Sequence, residues 1–105
     1  MTIYSIAESE VQEDSVITEA LVATSAKDAY DLALGFMTRC ILDFYGIDPL
    51  DSKGLDENMK RMAVNDEIDQ RNGLSCRRYV YEDSNFVLSA TVQEVNIETE
   101  TKGDN

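Results

Sequence analysis

The hydrophobic period of this chain changes twice along its length, and that pattern restricts the fold more than any other feature. Residues 3 to 9 (IYSIAES) and 15 to 24 (SVITEALVAT) are rich in β-branched side chains. They read as the two strands of a hairpin, joined through the polar stretch EVQED by a loop of moderate length. From Ser25 onward the period lengthens. Ala26, Ala29, Tyr30, Ala33, Met37, Cys40, Ile41 and Phe44 recur every three or four positions, as one face of an α-helix does. Ser25 with Asp28 resembles a capping box at its start, and Gly46 supplies the stop.

IDPLDSKG, residues 47 to 54, is a connector in which Asp48 caps a short helical turn that Gly54 ends. A second helix is expected from Leu55, with Leu55, Met59, Met62, Ala63 and Ile68 as its apolar stripe and Glu57 and Arg61 as a surface pair. Asn72-Gly73 then breaks the chain, and the period returns to two. Residues 74 to 83 and 85 to 98 read as a second hairpin, turning at Asp83-Ser84-Asn85. In its last strand Phe86, Leu88, Ala90 and Val92 face one way, and Ser89, Thr91 and Gln93 the other. After Glu94 the apolar phase moves to Val95 and Ile97, which predicts a bulge or twist there. Residues 99 to 105 are expected to be a frayed acidic tail.

The order β-β-α-α-β-β in 105 residues implies one α+β domain over residues 1 to 105. Its four-stranded antiparallel sheet carries both helices on one face. The expected core packs the stripe of Ala29, Ala33, Met37, Ile41 and Phe44 on Phe86, Leu88, Ala90 and Val92.

Several classes of function are excluded or disfavoured. No apolar run approaches the roughly 18 to 20 residues of a membrane span. The start MTIYSIAESE lacks the basic and apolar regions of a signal peptide, so a cytoplasmic protein is expected. Cys40 and Cys76 read as partly buried free thiols, too few and too widely spaced for a zinc site. The chain has no His, which removes imidazole-activated nucleophiles and imidazole metal ligands. No carboxylate pair stands out for acid–base work, so neither an enzyme nor a cofactor is expected.

NDEIDQRNG (65 to 73) has the look of a calcium loop, but placing Gly73 at position 6 puts Ile68 at position 1 and Gln70 at position 3. That spacing fails, and a solvated helix end stopped by Gly73 is the reading. CRRYVYE (76 to 82) interleaves basic and aromatic residues, as single-stranded nucleic-acid binders do. Two arginines within a net charge of −12 are a poor electrostatic footprint for that. One arginine is therefore expected to neutralise an acid on a neighbouring strand, with Tyr79 and Tyr81 covering one face of the sheet. Met37, Met59 and Met62 lie at helical spacing and read as core.

The charge is unevenly placed. Residues 1 to 26 hold five acids and no base, residues 82 to 105 hold six acids and Lys102, and residues 27 to 81 hold ten acids against eight bases. The stretch SIAESEVQEDSVITE (5 to 19) shows the excess most plainly. Alternate strand residues such as Glu8 and Glu10, or Glu98 and Glu100, project from one face about 6.8 Å apart. A ladder of this kind imitates a row of phosphates and can occupy a basic channel. The plainer reading is that edge acids confer solubility and block strand pairing. The candidate partner-binding residues are Glu8, Glu10, Glu13, Asp14, Glu19, Glu94, Glu98 and Glu100, all expected to be exposed.

By size, charge and layout the chain resembles small acidic phage-encoded anti-defence proteins, the anti-CRISPR and anti-restriction nucleic-acid mimics. The resemblance implies a binding protein in the cytoplasm of a bacterial host. It would dock its acids on the basic nucleic-acid-binding surface of a defence nuclease complex and inhibit it by mimicry or steric block. Direct nucleic-acid or membrane binding is not expected. The alternative is an interaction module of unspecified partner, or a homodimer joined through a sheet edge.

Overall fold

Eleven residue pairs join the first strand to the last, and the rest of the sheet is laid out on either side of that ladder. The computed structural model describes residues 1–97. Its elements are β1 (Thr2–Gln12), β2 (Ser15–Ala23), α1 (Ala26–Tyr45), α2 (Ser52–Met59), β3 (Ala63–Ile68), β4 (Ser75–Glu82) and β5 (Phe86–Asn96). The five strands lie in the order β2-β1-β5-β4-β3, each antiparallel to its neighbours. Both helices pack on one face of this single α+β unit. At the far end of the central ladder the backbones of Met1 and Ile97 exchange hydrogen bonds of 2.8 and 2.9 Å.

The long helix follows its sequence signals. Ser25 Oγ accepts from the Asp28 N–H at 3.1 Å, and Gly46, at φ 63°, takes the left-handed turn at the other end. A side chain at that φ would be strained. Ala29 and Ala33, both fully buried, let the helix backbone come close to the sheet, while Phe36, Met37 and Ile41 fill the space beside them. Across from them lie Ile6, Leu88, Ala90 and Val92, all 2% exposed or less. Phe44 covers the end of this layer at the surface, 39% exposed, its ring 3.7 Å from that of Phe86 between centroids.

A polar knot ties α1, α2 and β4 together below the aromatic cluster. The buried Tyr81 hydroxyl lies 3.1 Å from both the Tyr45 hydroxyl and Asn58 Oδ1. Tyr45 in turn donates to Asp83, and this hydrogen bond is the chief reason the Asp83 carboxyl is held below its usual pKa. Arg61 sits 5.0 Å over the Tyr81 ring and 3.9 Å from Asp83. It therefore works between elements rather than in the expected surface pair with Glu57.

The sheet has five strands, not four, because the second helix is shorter than its apolar spacing suggested. It begins at Ser52, one residue after its cap Asp51, and ends at Met59. Gly54 lies in its first turn instead of stopping a separate one, and any Cβ there would come within 2.6 Å of the Asp51 carboxylate. After Met62 the chain turns extended, and Val64, Asp66 and Ile68 alternate with Ala63, Asn65 and Glu67 along β3. Two interactions favour this over another helical turn. β3 satisfies the outer edge of β4, and Asp66 receives a two-pronged contact from Arg77 at 2.7 and 3.0 Å. NDEIDQRNG is accordingly β3 and a tight turn rather than a helix end. Asp69 and Asn72 cap local N–H groups with their side chains, and Gly73, at φ 72°, closes the turn.

Two smaller expectations are also corrected. The first hairpin turns in two residues, Glu13 and Asp14, instead of a longer loop. The ladder between β1 and β5 runs without interruption from Thr2↔Asn96 to Gln12↔Phe86, so no bulge follows Glu94. Val95 simply lies on the side of the sheet away from the helices, opposite Ile3. The expected tail at 99 to 105 falls outside the described residues.

Because Ile41 is fully buried and Phe86 is 3% exposed, truncating either leaves a cavity between the layers. Ile41→Ala and Phe86→Ala should each lower the free energy of unfolding by about 2 to 5 kcal/mol, measured by urea titration. Leu32→Ala, on the outer side of the same helix at 43% exposure, should cost less than about 1 kcal/mol. Equal losses at all three positions would mean that the helix buries a different face.

Candidate functional site

The strand order brings the two acidic ends of the chain together, since β2, β1 and β5 are neighbours. Pairing then sorts their acids. Glu8 lies opposite Glu19, Glu10 opposite Ile17, and Glu94 opposite Tyr4. Alternation places all four acids on the helix side of the sheet. They do not form one free ladder.

Glu8 departs most from the expectation of exposure. It is 2% exposed, on the central part of β1, and its Oε1 has no hydrogen-bond partner. Its pKa is pushed up to about 6, chiefly by burial and then by the adjoining Glu19 carboxyl, with Arg39 opposing the rise. The two carboxyls bond to one another when one of them holds a proton. Glu19 itself is exposed.

Glu10 is half-buried at the next helix-side position. Gln12 donates to it, and the Cys40 thiol of α1 lines the same cleft beside it. Desolvation first and the Glu10 carboxyl second push the thiol pKa up to about 12. Cys40 and Cys76 are both free and half-buried, as read from the sequence. Glu94 accepts from the Ser75 N–H at 2.9 Å and so serves the sheet itself. Glu13 and Asp14 are exposed at the tip of the first hairpin. Glu98 and Glu100 lie outside the described residues.

One cleft gathers part of this set. It lies where the first hairpin meets the end of α1, has a volume of about 380 Å³, and is lined by Glu10, Gln12, Cys40, Asp43, Phe44, Phe86 and Leu88. Its floor is apolar and its polar wall is acidic. Asp43 was missed in the sequence because it reads as one more solvated residue between the stripe positions Ile41 and Phe44. Only its place one position before Phe44, where the stripe ends, pointed to a border role. The hairpin tip with Glu13 and Asp14 continues from the Gln12 side of the same cleft.

The other motifs resolve without forming a site. Tyr79 is 5% exposed and Tyr81 fully buried, so CRRYVYE offers no stacking platform. Arg77, held by Asp66, also lies 4.4 Å over the Tyr30 ring, which is the cross-strand neutralisation expected of one arginine. Met37 is fully buried, and Met59 and Met62 pack against the core. Among the described residues no group of three or more Cys, Asp or Glu side chains is placed to hold a metal ion. No described helix is long and apolar enough to cross a membrane. Comparison with protein-family models, curated proteins and solved structures gave no match for this chain.

The raised pKa of Glu8 sets a sign for stability against pH. The folded chain holds the Glu8 proton more tightly than the unfolded chain, whose carboxyl titrates near 4.5. Glu8 therefore weakens the fold increasingly as pH rises from about 4.5 to 6, by an amount on the order of 2 kcal/mol once fully ionised. Glu8→Gln should raise the urea midpoint at pH 7.5, and the difference from the parent chain should vanish near pH 4. A difference that stays constant with pH would show that Glu8 is not ionised at neutral pH or that its folded pKa is ordinary.

Proposed function

We propose that the protein is an acidic binding protein that occupies the basic surface of a partner, of the kind with which a bacterial defence nuclease complex holds nucleic acid, and so inhibits it. The observation that carries this reading is the cleft at the end of α1. Glu10 and Asp43 flank an apolar floor of Phe44, Phe86 and Leu88. That is the complement of an Arg or Lys side chain, whose stem prefers apolar contact and whose head prefers carboxylate and aromatic ring. Glu13 and Asp14 on the hairpin tip, with Glu19 on β2, add exposed negative charge beside it. A nuclease groove lined with such side chains gains affinity from negative groups whichever polymer presents them. The raised carboxyl of Glu8 is too deeply buried to meet a substrate, and this favours binding over catalysis.

The test is inhibition of DNA cleavage by purified RNA-guided and restriction nucleases, with nucleic acid as competitor. Inhibition should fall steeply as salt rises, because many charges take part. Glu10→Gln and Asp43→Asn should each weaken it, and the triple reversal of Glu13, Asp14 and Glu19 to Lys should abolish it without loss of fold. Single neutralisations at the exposed tip should cost only about 0.2 to 1 kcal/mol. Reversal of Asp56 and Glu57 on α2, both exposed, is the control and should matter less. A critical α2 set beside a silent cleft would move the contact to the helices and end the mimic reading.

A further inference from the structure

The side of the sheet turned away from the helices has a composition unlike the rest of the molecule. On β1, β5 and β2 this side is made of the odd residues from Ile3 to Val11, the odd residues from Val87 to Val95, and the even residues from Val16 to Val22. Charged residues are 29% of the chain, so about four of these fourteen positions would carry a charge on an ordinary surface. None does. The middle of the face is a shallow hollow of about 340 Å³ among Ala7, Ser9, Thr18, Ala20, Ser89 and Thr91, and it is also lined by Glu8 and Glu19, which alternation assigns to the helix side. Around it Val11, Val16, Val22 and Val87 stand exposed, from 38% to 65%. The two central hydroxyls satisfy one another, Ser9 Oγ to Ser89 Oγ at 2.8 Å, so their loss of water is cheap.

We propose that this uncharged sheet face is the contact between two copies of the chain, packed sheet on sheet. Charge argues for a second copy as the occupant. Each chain carries −12, and copies meeting through the helix layer or the hairpin tip would press acid on acid. Across this face they meet with no charged residue at the facing positions of the three strands. In area the contact is modest. At about 3.3 Å per residue and 4.8 Å per strand the three neutral strands cover roughly 30 by 15 Å in projection, less than the about 800 Å² of accessible surface per partner in a standard interface, so the dimer is a weak one.

The patch is also centred for a twofold contact. β1 is the middle of the three neutral strands, so β1 can lie over its own copy with β2 over β5 on either side. Arg78 and Glu82 of β4 and Glu67 of β3, which share this side of the sheet by register, then fall outside the overlap or at its rim. Small residues in the hollow let the sheets approach at least as closely as the usual 10 Å. The acidic clefts point outward in such a pair, so the proposal stands apart from the partner-binding reading, and each can fail alone.

The competing contact is the free edge of β2, whose nine residues include the exposed Val16, Ile17 and Val22 and a single charge, Glu19. Sedimentation velocity of the full chain, from micromolar to near-millimolar concentration, separates the two. The parent chain should form a dimer. Ala7→Arg, in the centre of the face, should raise the dissociation constant at least about tenfold, since a buried unpaired charge is costly, while the circular dichroism spectrum stays unchanged. Val16→Lys, 65% exposed in the single chain and so unable to harm its fold, should weaken the dimer too and decides the matter if Ala7→Arg does not fold. Ile17→Lys, on the helix side of β2, should leave the dimer intact. A monomer throughout the range overturns the proposal and leaves the face to another protein. So does a dimer that survives Ala7→Arg and is lost with Ile17→Lys.

Discussion

The pairing of β1 with β5 is the contact on which everything else rests. It puts the two ends of the described chain in the middle of the sheet, and its helix-facing residues Ile6, Leu88, Ala90 and Val92 form the floor on which α1 lies. β2 is attached to one side of this ladder and β4 with β3 to the other. β4 extends the floor with Tyr79 and Tyr81, but the outermost strands have no comparable one. Every residue of β3 is exposed, and so are all of β2 except Leu21 and Ala23. Stability is therefore concentrated in a central strip, and the two outer strands are held mainly by backbone pairing and by contacts such as Asp66 with Arg77.

That arrangement gives each strand residue near the centre a choice of two environments, and the period of two makes the choice for it. The acids of β1, β2 and β5 share the helix-side parity, while Val11, Val16, Val22, Val87 and Val95 share the other with Ser9, Thr18, Ser89 and Thr91. An acid at the end of this layer, such as Glu10, finds a cleft and a neighbour. An acid in its middle finds no cleft and, for a neighbour, only another carboxyl, and Glu8 is buried at the cost of a raised pKa. The same sorting that fills the acidic side empties the opposite face of charge.

The sequence was informative where one interaction dominates and poor where two compete. The helix from Ala26 to Tyr45 is legible because cap, stripe and glycine stop all agree. The inward set of Phe86, Leu88, Ala90 and Val92 is legible for the same reason. The helix expected from Leu55 is there as far as Met59, but residues 63 to 68 were misread, because Leu55, Met59 and Met62 fit a helix while Val64 and Ile68 fit either period. The bare edge of β4, a long-range neighbour, decides for the strand. The burial of Glu8 was hidden because strand order is not written in local pattern. A first strand looks like an edge until its partner, some eighty residues away, takes the other side. Val95 was read as a bulge for a related reason, since an apolar residue on an open sheet face looks like a slipped register.

The hydrogen bonds exchanged by Met1 and Ile97 bear on how such a chain reaches its fold. The central ladder joins the earliest strand to the latest, so during synthesis β1 waits for β5 to leave the ribosome before the core can close. Until then the first hairpin is alone, and an isolated hairpin is marginally stable in water. Non-local pairing of this kind also slows refolding of the whole chain. The same adjacency makes the topology nearly a ring. A short tether from Ile97 to Met1, with new ends opened in the turn between β4 and β5, would turn the slow central contact into a local one and leave the sheet order as it is.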